Sequence, residues 1–200
     1  MVPLTEHLSE ITGRILDLPG VCRAEEQLRL TFGEKATLSL QVGSCQIPHS
    51  KEAVCGDSYE VFYDGKGMGY LLISDGMGSG SLASIDAKIA SNLFVRLIKG
   101  GFSYESTIKT VNSVMMLKSA EETLATLDVC CIDLFTGQAE FLKAGAAPSF
   151  LWKAGEVSEI EQSALPVGIL SGVSFERSAT KVQVGDMVVL VSDGVTDRCV

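Results

Sequence analysis

The sequence predicts an α+β fold with antiparallel sheets, and its order of elements carries that expectation. A strand-rich stretch comes first, two helices then follow one another directly, and a meander of short strands fills the remainder. Strands and helices do not alternate as βαβ units would require. The 200 residues are 46% hydrophobic, enough for one domain over residues 1–200 with a sizeable core and too apolar for a disordered chain.

Taken in order, Leu4, Leu8, Ile11, Ile15 and Leu18 recur at helical spacing until Pro19-Gly20. They predict an amphipathic helix over residues 1–20 whose apolar stripe must be buried. Packing within the chain is the expectation, and a homodimer through this helix is the other outlet. Gln27–Phe32 and Ala36–Val42 alternate apolar and polar residues about a Gly33-Glu34 turn, which predicts a hairpin. A second hairpin is expected from Tyr59–Tyr63, the turn Asp64-Gly65-Lys66-Gly67 and the apolar run Gly69–Ile73.

After a glycine-rich segment, Leu82, Ile85, Ile89, Leu93 and Leu97 mark a helix that Gly100-Gly101 ends. Another runs from Tyr104 to about Leu117, with Ser103 as N-cap and Ile108, Val111 and Met115 facing inward. Strands are expected over Thr126–Phe135, Gln138–Ala144, Ser149–Trp152, Val157–Ile160, Val173–Val182 and Asp186–Val191, with Gly185 joining the last two.

The six cysteines show no C-x-x-C pair and read as reduced thiols, mostly small core residues. With His7 and His49 as the only histidines, zinc is disfavoured. A net charge of −9 disfavours nucleic acid, and a phosphorylated substrate would need positive charge from metal ions. No apolar run approaches the roughly 18 residues of a membrane span. The start lacks the order of a secretory signal. A cytoplasmic domain is expected, whether alone or as the cytoplasmic part of a larger membrane protein.

The chemistry lies in a repeated tripeptide. Leu71-Leu72-Ile73-Ser74-Asp75-Gly76 and Val189-Leu190-Val191-Ser192-Asp193-Gly194 are both apolar strands ending in Ser-Asp-Gly. An aspartate at the end of a buried strand presents its carboxylate from a rigid base, and the glycine is expected to let the backbone turn. If the strands lie in facing sheets, both carboxylates can converge on one ion. Asp57, in Cys55-Gly56-Asp57-Ser58, stands just before the strand that begins at Tyr59. Such oxygen ligands select Mg²⁺ or Mn²⁺. An Asp-Gly pair alone is more often a plain turn.

Together with Thr126-Leu127-Asp128 and Leu165-Pro166-Val167-Gly168-Ile169, these segments stand in the order of a known family. Over roughly residues 36–200 the chain resembles the stage II sporulation protein E branch of the metal-dependent protein phosphatases (PPM, protein phosphatase 2C-like). The resemblance implies a β-sandwich of two antiparallel sheets flanked by helices, with a two-metal cleft at one end. It implies that Asp75 bridges both cations (Mn²⁺ or Mg²⁺), that the Gly76 carbonyl ligates the second, and that Asp193 binds the first. Asp57 would support the site directly or through water. The implied activity is hydrolysis of phosphoserine or phosphothreonine on a small regulatory protein, typically an anti-sigma-factor antagonist, by hydroxide from metal-bound water.

Three departures accompany it. The family pattern continues for another helix and strand with one more metal-binding aspartate, so this chain is expected to lack that end. Met77 stands where many relatives have a histidine that could act as general acid, so a metal-bound water would protonate the leaving group. Lys51 is the nearest cation to the place where many relatives grip phosphate with an arginine; it is a candidate substrate-binding residue or a plain surface lysine. A catalytically weak or inactive module that binds a partner protein is the alternative reading.

Overall fold

The structure, a computed structural model, describes residues 1–24, 27–48, 53–78, 80–118, 124–171 and 175–196. It opens with helix α1 (Val2–Thr12), which stops at Gly13 in the left-handed conformation, φ 66°. The expected helix over residues 1–20 is thus shortened, and Ile15 and Leu18 fall outside it. Nor does most of the stripe pack within the chain: Leu4, Ile11, Ile15 and Leu18 are exposed, and Leu8 is half-buried.

The first hairpin is also re-paired. Strand β1 (Gly20–Ala24) pairs with β2 (Gln27–Thr31) in a two-stranded sheet. Ala36–Val42 forms no strand. It crosses the core edge instead, tied by the Thr37 and Leu38 N–H groups to the Leu134 carbonyl, with Leu38 and Leu40 plugging apolar gaps. Alternating hydrophobicity signals a half-buried extended segment, and ladder pairing is only one way to use it.

The central layer is a five-stranded antiparallel sheet. In spatial order it contains β3 (Asp57–Tyr63), β4 (Met68–Asp75), β5 (Leu127–Asp133), β6 (Gln138–Ala144) and β9 (Glu176–Lys181). A second, three-stranded antiparallel sheet has β7 (Ser149–Lys153) between β10 (Met187–Val189) and β8 (Glu156–Ile160). The period-2 alternation of strands sorts the core into two clusters. Leu127, Val129 and Cys131 of β5 face the helix side with Leu142 and Ala144 of β6. Cys130, Ile132, Ala139 and Phe141 face the second sheet, where Leu151 and Val188 meet them. Both Cys130 and Cys131 are therefore core residues, one for each face.

Two helices, α2 (Gly80–Lys99) and α3 (Tyr104–Lys118), cover the helix side. The face of α2 differs from the stripe read in the sequence. Ala83, Ala87, Ala90, Ser91 and Phe94 are buried, whereas Leu82 and Ile85 lie exposed. Small side chains allow the helix to approach the sheet closely, which the large aliphatic residues would prevent. In α3, Ile108, Val111 and Met115 face inward as expected, and the Ser103 hydroxyl accepts the Ser106 N–H at 3.3 Å as N-cap. Burying a side chain such as Phe94 or Phe141 contributes about 1.5–3 kcal/mol. Among the described residues no helix is long and apolar enough to cross a membrane.

Candidate active site

In the β3–β4 ladder Asp57 stands directly opposite Asp75, so the two carboxylates leave the sheet side by side. Asp75 has the parity of Leu71, which packs between the sheets, and so faces the second sheet. The next strand continues the row. Thr126, just before β5, donates its N–H to the Asp75 carbonyl at 2.8 Å, and its hydroxyl accepts the Asp75 N–H at 2.9 Å. Ser74 Oγ donates to the Thr126 carbonyl at 2.7 Å. Bridges Gly76–Ala125 and Ala125–Val167 then prolong the ladder beyond the strand ends.

The third carboxylate comes from beyond the end of β10 in the facing sheet. After β10 the chain passes through Ser192, whose Oγ donates to Asp57 Oδ2 at 2.8 Å, and Asp193 opens the short helix α4 (Asp193–Thr196). Asp75 pairs in register with Asp57 and shares one cleft with Asp193. Its carboxyl is pushed up to about 8, first by burial and then by the charges of Asp57 and Asp193.

The three aspartates sit in a cleft of about 970 Å³. Ile47, Val54, Met77, Pro166 and Val195 make much of its wall apolar. Among the described lining residues there is no Lys, Arg or His to balance the carboxylates. A Cβ at Gly56 would stand 4.0 Å from the Gly76 carbonyl oxygen, so that oxygen lies over the segment carrying Asp57. Crowded carboxylates, a backbone carbonyl nearby and no cationic side chain suit a hard divalent cation. Among the described residues no group of three or more His, Cys, Asp or Glu is placed to hold a metal ion by itself. Backbone and water oxygens would have to fill the coordination shell, as they usually do around Mg²⁺.

Asp57, Asp75, Gly76 and Asp193, the candidates read from the sequence, all line this one cleft. Lys51 lies outside the described residues, as does His49. The glycines need a corrected reason. Gly76 has no positive φ; it is glycine because a Cβ would lie 1.9 Å from the Ala83 carbonyl oxygen of α2. A Cβ at Gly194 would meet none of the described residues within 4 Å.

Sequence reasoning quoted Thr126 without seeing its task, the double tether of the Asp75 main chain. The available signal was a hydroxyl residue heading an otherwise apolar strand. Thr126→Val should cost about 1 kcal/mol by removing that acceptor. Amide exchange at Asp75, compared with that at Leu72, is the measurement, and exchange should accelerate at Asp75 alone.

Comparison with known proteins agrees with this architecture. The family described as Stage II sporulation protein E (SpoIIE) matches residues 66–199. Stage II sporulation protein E of Bacillus subtilis (strain 168) is 31% identical over 166 residues, which is 83% of this chain and 20% of that protein. Phosphoserine phosphatase RsbU of the same organism is 24% identical over 161 residues, 80% of this chain and 47% of that protein. The chain thus spans less than half the length of either relative. A solved structure of the PP2C phosphatase domain of SpoIIE from Bacillus subtilis, with a fragment of its regulatory domain, superposes with a TM-score of 0.82. That match has 27% identity and covers 98% of this chain and 58% of the other. With its α+β arrangement of antiparallel sheets and helices, this chain belongs to the SpoIIE family of PP2C-type phosphatase domains.

Proposed function

We propose that this domain is a metal-dependent phosphatase for phosphoserine or phosphothreonine on a small regulatory protein of the anti-sigma-factor-antagonist type. The observation that carries this reading is the gathering in one cleft of Asp57 and Asp75 from one sheet with Asp193 from α4, which follows β10 of the other sheet. Asp75 and Asp193, with Asp57 and the Gly76 carbonyl beside them, would hold two divalent cations, Mn²⁺ or Mg²⁺. Such ions, when bound, supply Lewis acidity that activates water and neutralises phosphoryl charge.

The chain's own residues do the rest. Thr126 fixes the backbone of Asp75, Ser192 orients the Asp57 carboxylate, and the Gln46 side chain holds the Asp57 carbonyl at 2.7 Å. The apolar rim of Ile47, Val54, Met77 and Val195 limits water around the reacting phosphate and offers a surface to a protein substrate. His7, the one histidine among the described residues, lies on the exposed face of α1, so a histidine-activated nucleophile has no support. Cytoplasmic location, and a homodimer through the exposed stripe of α1, belong to the same reading.

The test is hydrolysis of an aryl phosphate and of a phosphoserine protein with Mn²⁺ present. Turnover that EDTA abolishes is expected. A folded protein that binds Mn²⁺ and a partner protein but turns over neither substrate would instead identify a binding module.

A further inference from the structure

Directly behind the carboxylate row lies a second polar row that the proposed chemistry does not use. Asp128 on β5 stands opposite Lys143 on β6. Thr126 and Gly145, each two residues nearer the strand ends on the same face, line the cleft. Asp128 and Lys143 therefore sit one pleat beneath its floor, on the face that meets the second sheet. Both are buried, at 1% and 0% exposure, and so is Ser149 at the start of β7, at 0%.

The contacts are dense. Lys143 Nζ donates to Asp128 Oδ2 at 2.8 Å, to Ser149 Oγ at 2.7 Å and to the Ala147 carbonyl at 2.6 Å, which uses all three of its protons. Ser149 Oγ in turn donates to Asp128 Oδ2 at 2.6 Å. Asp128 Oδ1 is buried with no hydrogen-bond partner among the described residues. One lysine thus ties the five-stranded sheet to the loop after β6 and to the first residue of β7 in the other sheet.

Stability does not account for this arrangement. Burying an ion pair costs desolvation, and well-packed apolar residues of similar volume are often as stable or more so. Its position does account for it, because directly above the network Asp57 and Asp75 of one sheet must meet Asp193 of α4, which is carried by β10 of the other sheet. We propose that Asp128, Lys143 and Ser149 are positioning residues that fix the separation of the two sheets at the cleft and thereby set its affinity for a divalent cation. This inference rests on the reading of the carboxylate row as a cation site.

The experiment compares the full chain with Asp128→Leu/Lys143→Met and with Ser149→Ala, measuring thermal melting, Mn²⁺ affinity by calorimetry and Mn²⁺-dependent turnover. The double variant should melt at or above the wild-type temperature yet bind Mn²⁺ about tenfold more weakly, as supporting partners of metal ligands do. Ser149→Ala keeps the charge pair and should show a smaller loss in the same direction. If the double variant does not fold, Ser149→Ala decides the matter. Wild-type Mn²⁺ affinity in a folded variant overturns the proposal and leaves the phosphatase reading standing. Wild-type protein that binds Mn²⁺ without turnover sinks the phosphatase reading alone.

Discussion

Asp75→Asn should lower Mn²⁺-dependent phosphatase turnover by about a hundredfold or more, some 3 kcal/mol of transition-state stabilisation, while making the metal-free protein more stable. Both effects follow from the place of Asp75 in the row. It is the carboxylate on which the charges of both others act, so its loss separates the ligand offered by β3 from the one offered by α4. Wild-type turnover in this variant would refute a bridging role.

The stability effect has a defined sign. The Asp75 carboxyl rises from its ordinary 3.8 to about 8 in the folded protein, through burial and the neighbouring Asp57 and Asp193. Between these values the folded state binds more protons than the unfolded one, so stability falls as pH increases through the window. The penalty is absent below about pH 4 and complete above about pH 8. Because Asp75 is only partly buried, solvent screening reduces the cost to about 1–2 kcal/mol. Asparagine at this position removes it, raising the metal-free melting temperature by roughly 2–4 °C per kcal/mol at pH 8.5. At pH 4 the gain should vanish. Mn²⁺ must displace the same proton, so its stabilising effect on the wild type should grow from pH 6 to pH 8.5.

Gly76→Ala should destabilise the fold by about 3 kcal/mol or more, the upper range for a forced overlap in a packed interior. The added Cβ would meet the Ala83 carbonyl oxygen at 1.9 Å and the carbonyl carbon at 2.5 Å. Both are backbone atoms of α2, so no rotamer change relieves the clash. Either the helix or the end of β4 must move, and Asp75 moves with it. Gly194→Ala is the control: no described residue lies near its Cβ position, its φ is not positive, and the change should stay within about 0.5 kcal/mol. Urea unfolding of both variants measures the contrast. Equal losses would show that Gly76 serves some other purpose.

These two glycines illustrate what can be read from the chain in one dimension. Both follow Ser-Asp at the end of an apolar strand, and the sequence distinguishes neither. The approach of α2 to Gly76 depends on tertiary packing, which also decides that Ala83, Ala87 and Ala90, rather than Leu82 and Ile85, form the buried face. The gathering of Asp57, Asp75 and Asp193 in one cleft was legible from their acidic motifs, but only Asp75 ends a strand: Asp57 begins β3, and the expected strand Asp186–Val191 stops at Val189, leaving Asp193 to open α4.

The network of Asp128, Lys143 and Ser149 was not legible. A lysine in a core strand reads as solvated until the register places it opposite an aspartate. Helix α1 was over-extended because Ile15 and Leu18 keep helical spacing past Gly13, where the chain turns left-handed. Periodicity does not register a break that leaves the spacing intact. The re-paired hairpin shows the same limit for strands, since alternation in Ala36–Val42 gave burial but not its partner.

Hard cations held jointly by Asp57 and Asp75 of the five-stranded sheet and Asp193 of α4 are the central claim. Anomalous scattering from crystals grown with Mn²⁺ at pH 8.5 tests this without reference to any substrate. It should reveal manganese in contact with the Asp75 carboxylate, between Asp57 and Asp193. Well-ordered crystals with an empty cleft, or with manganese bound only elsewhere, would contradict the account.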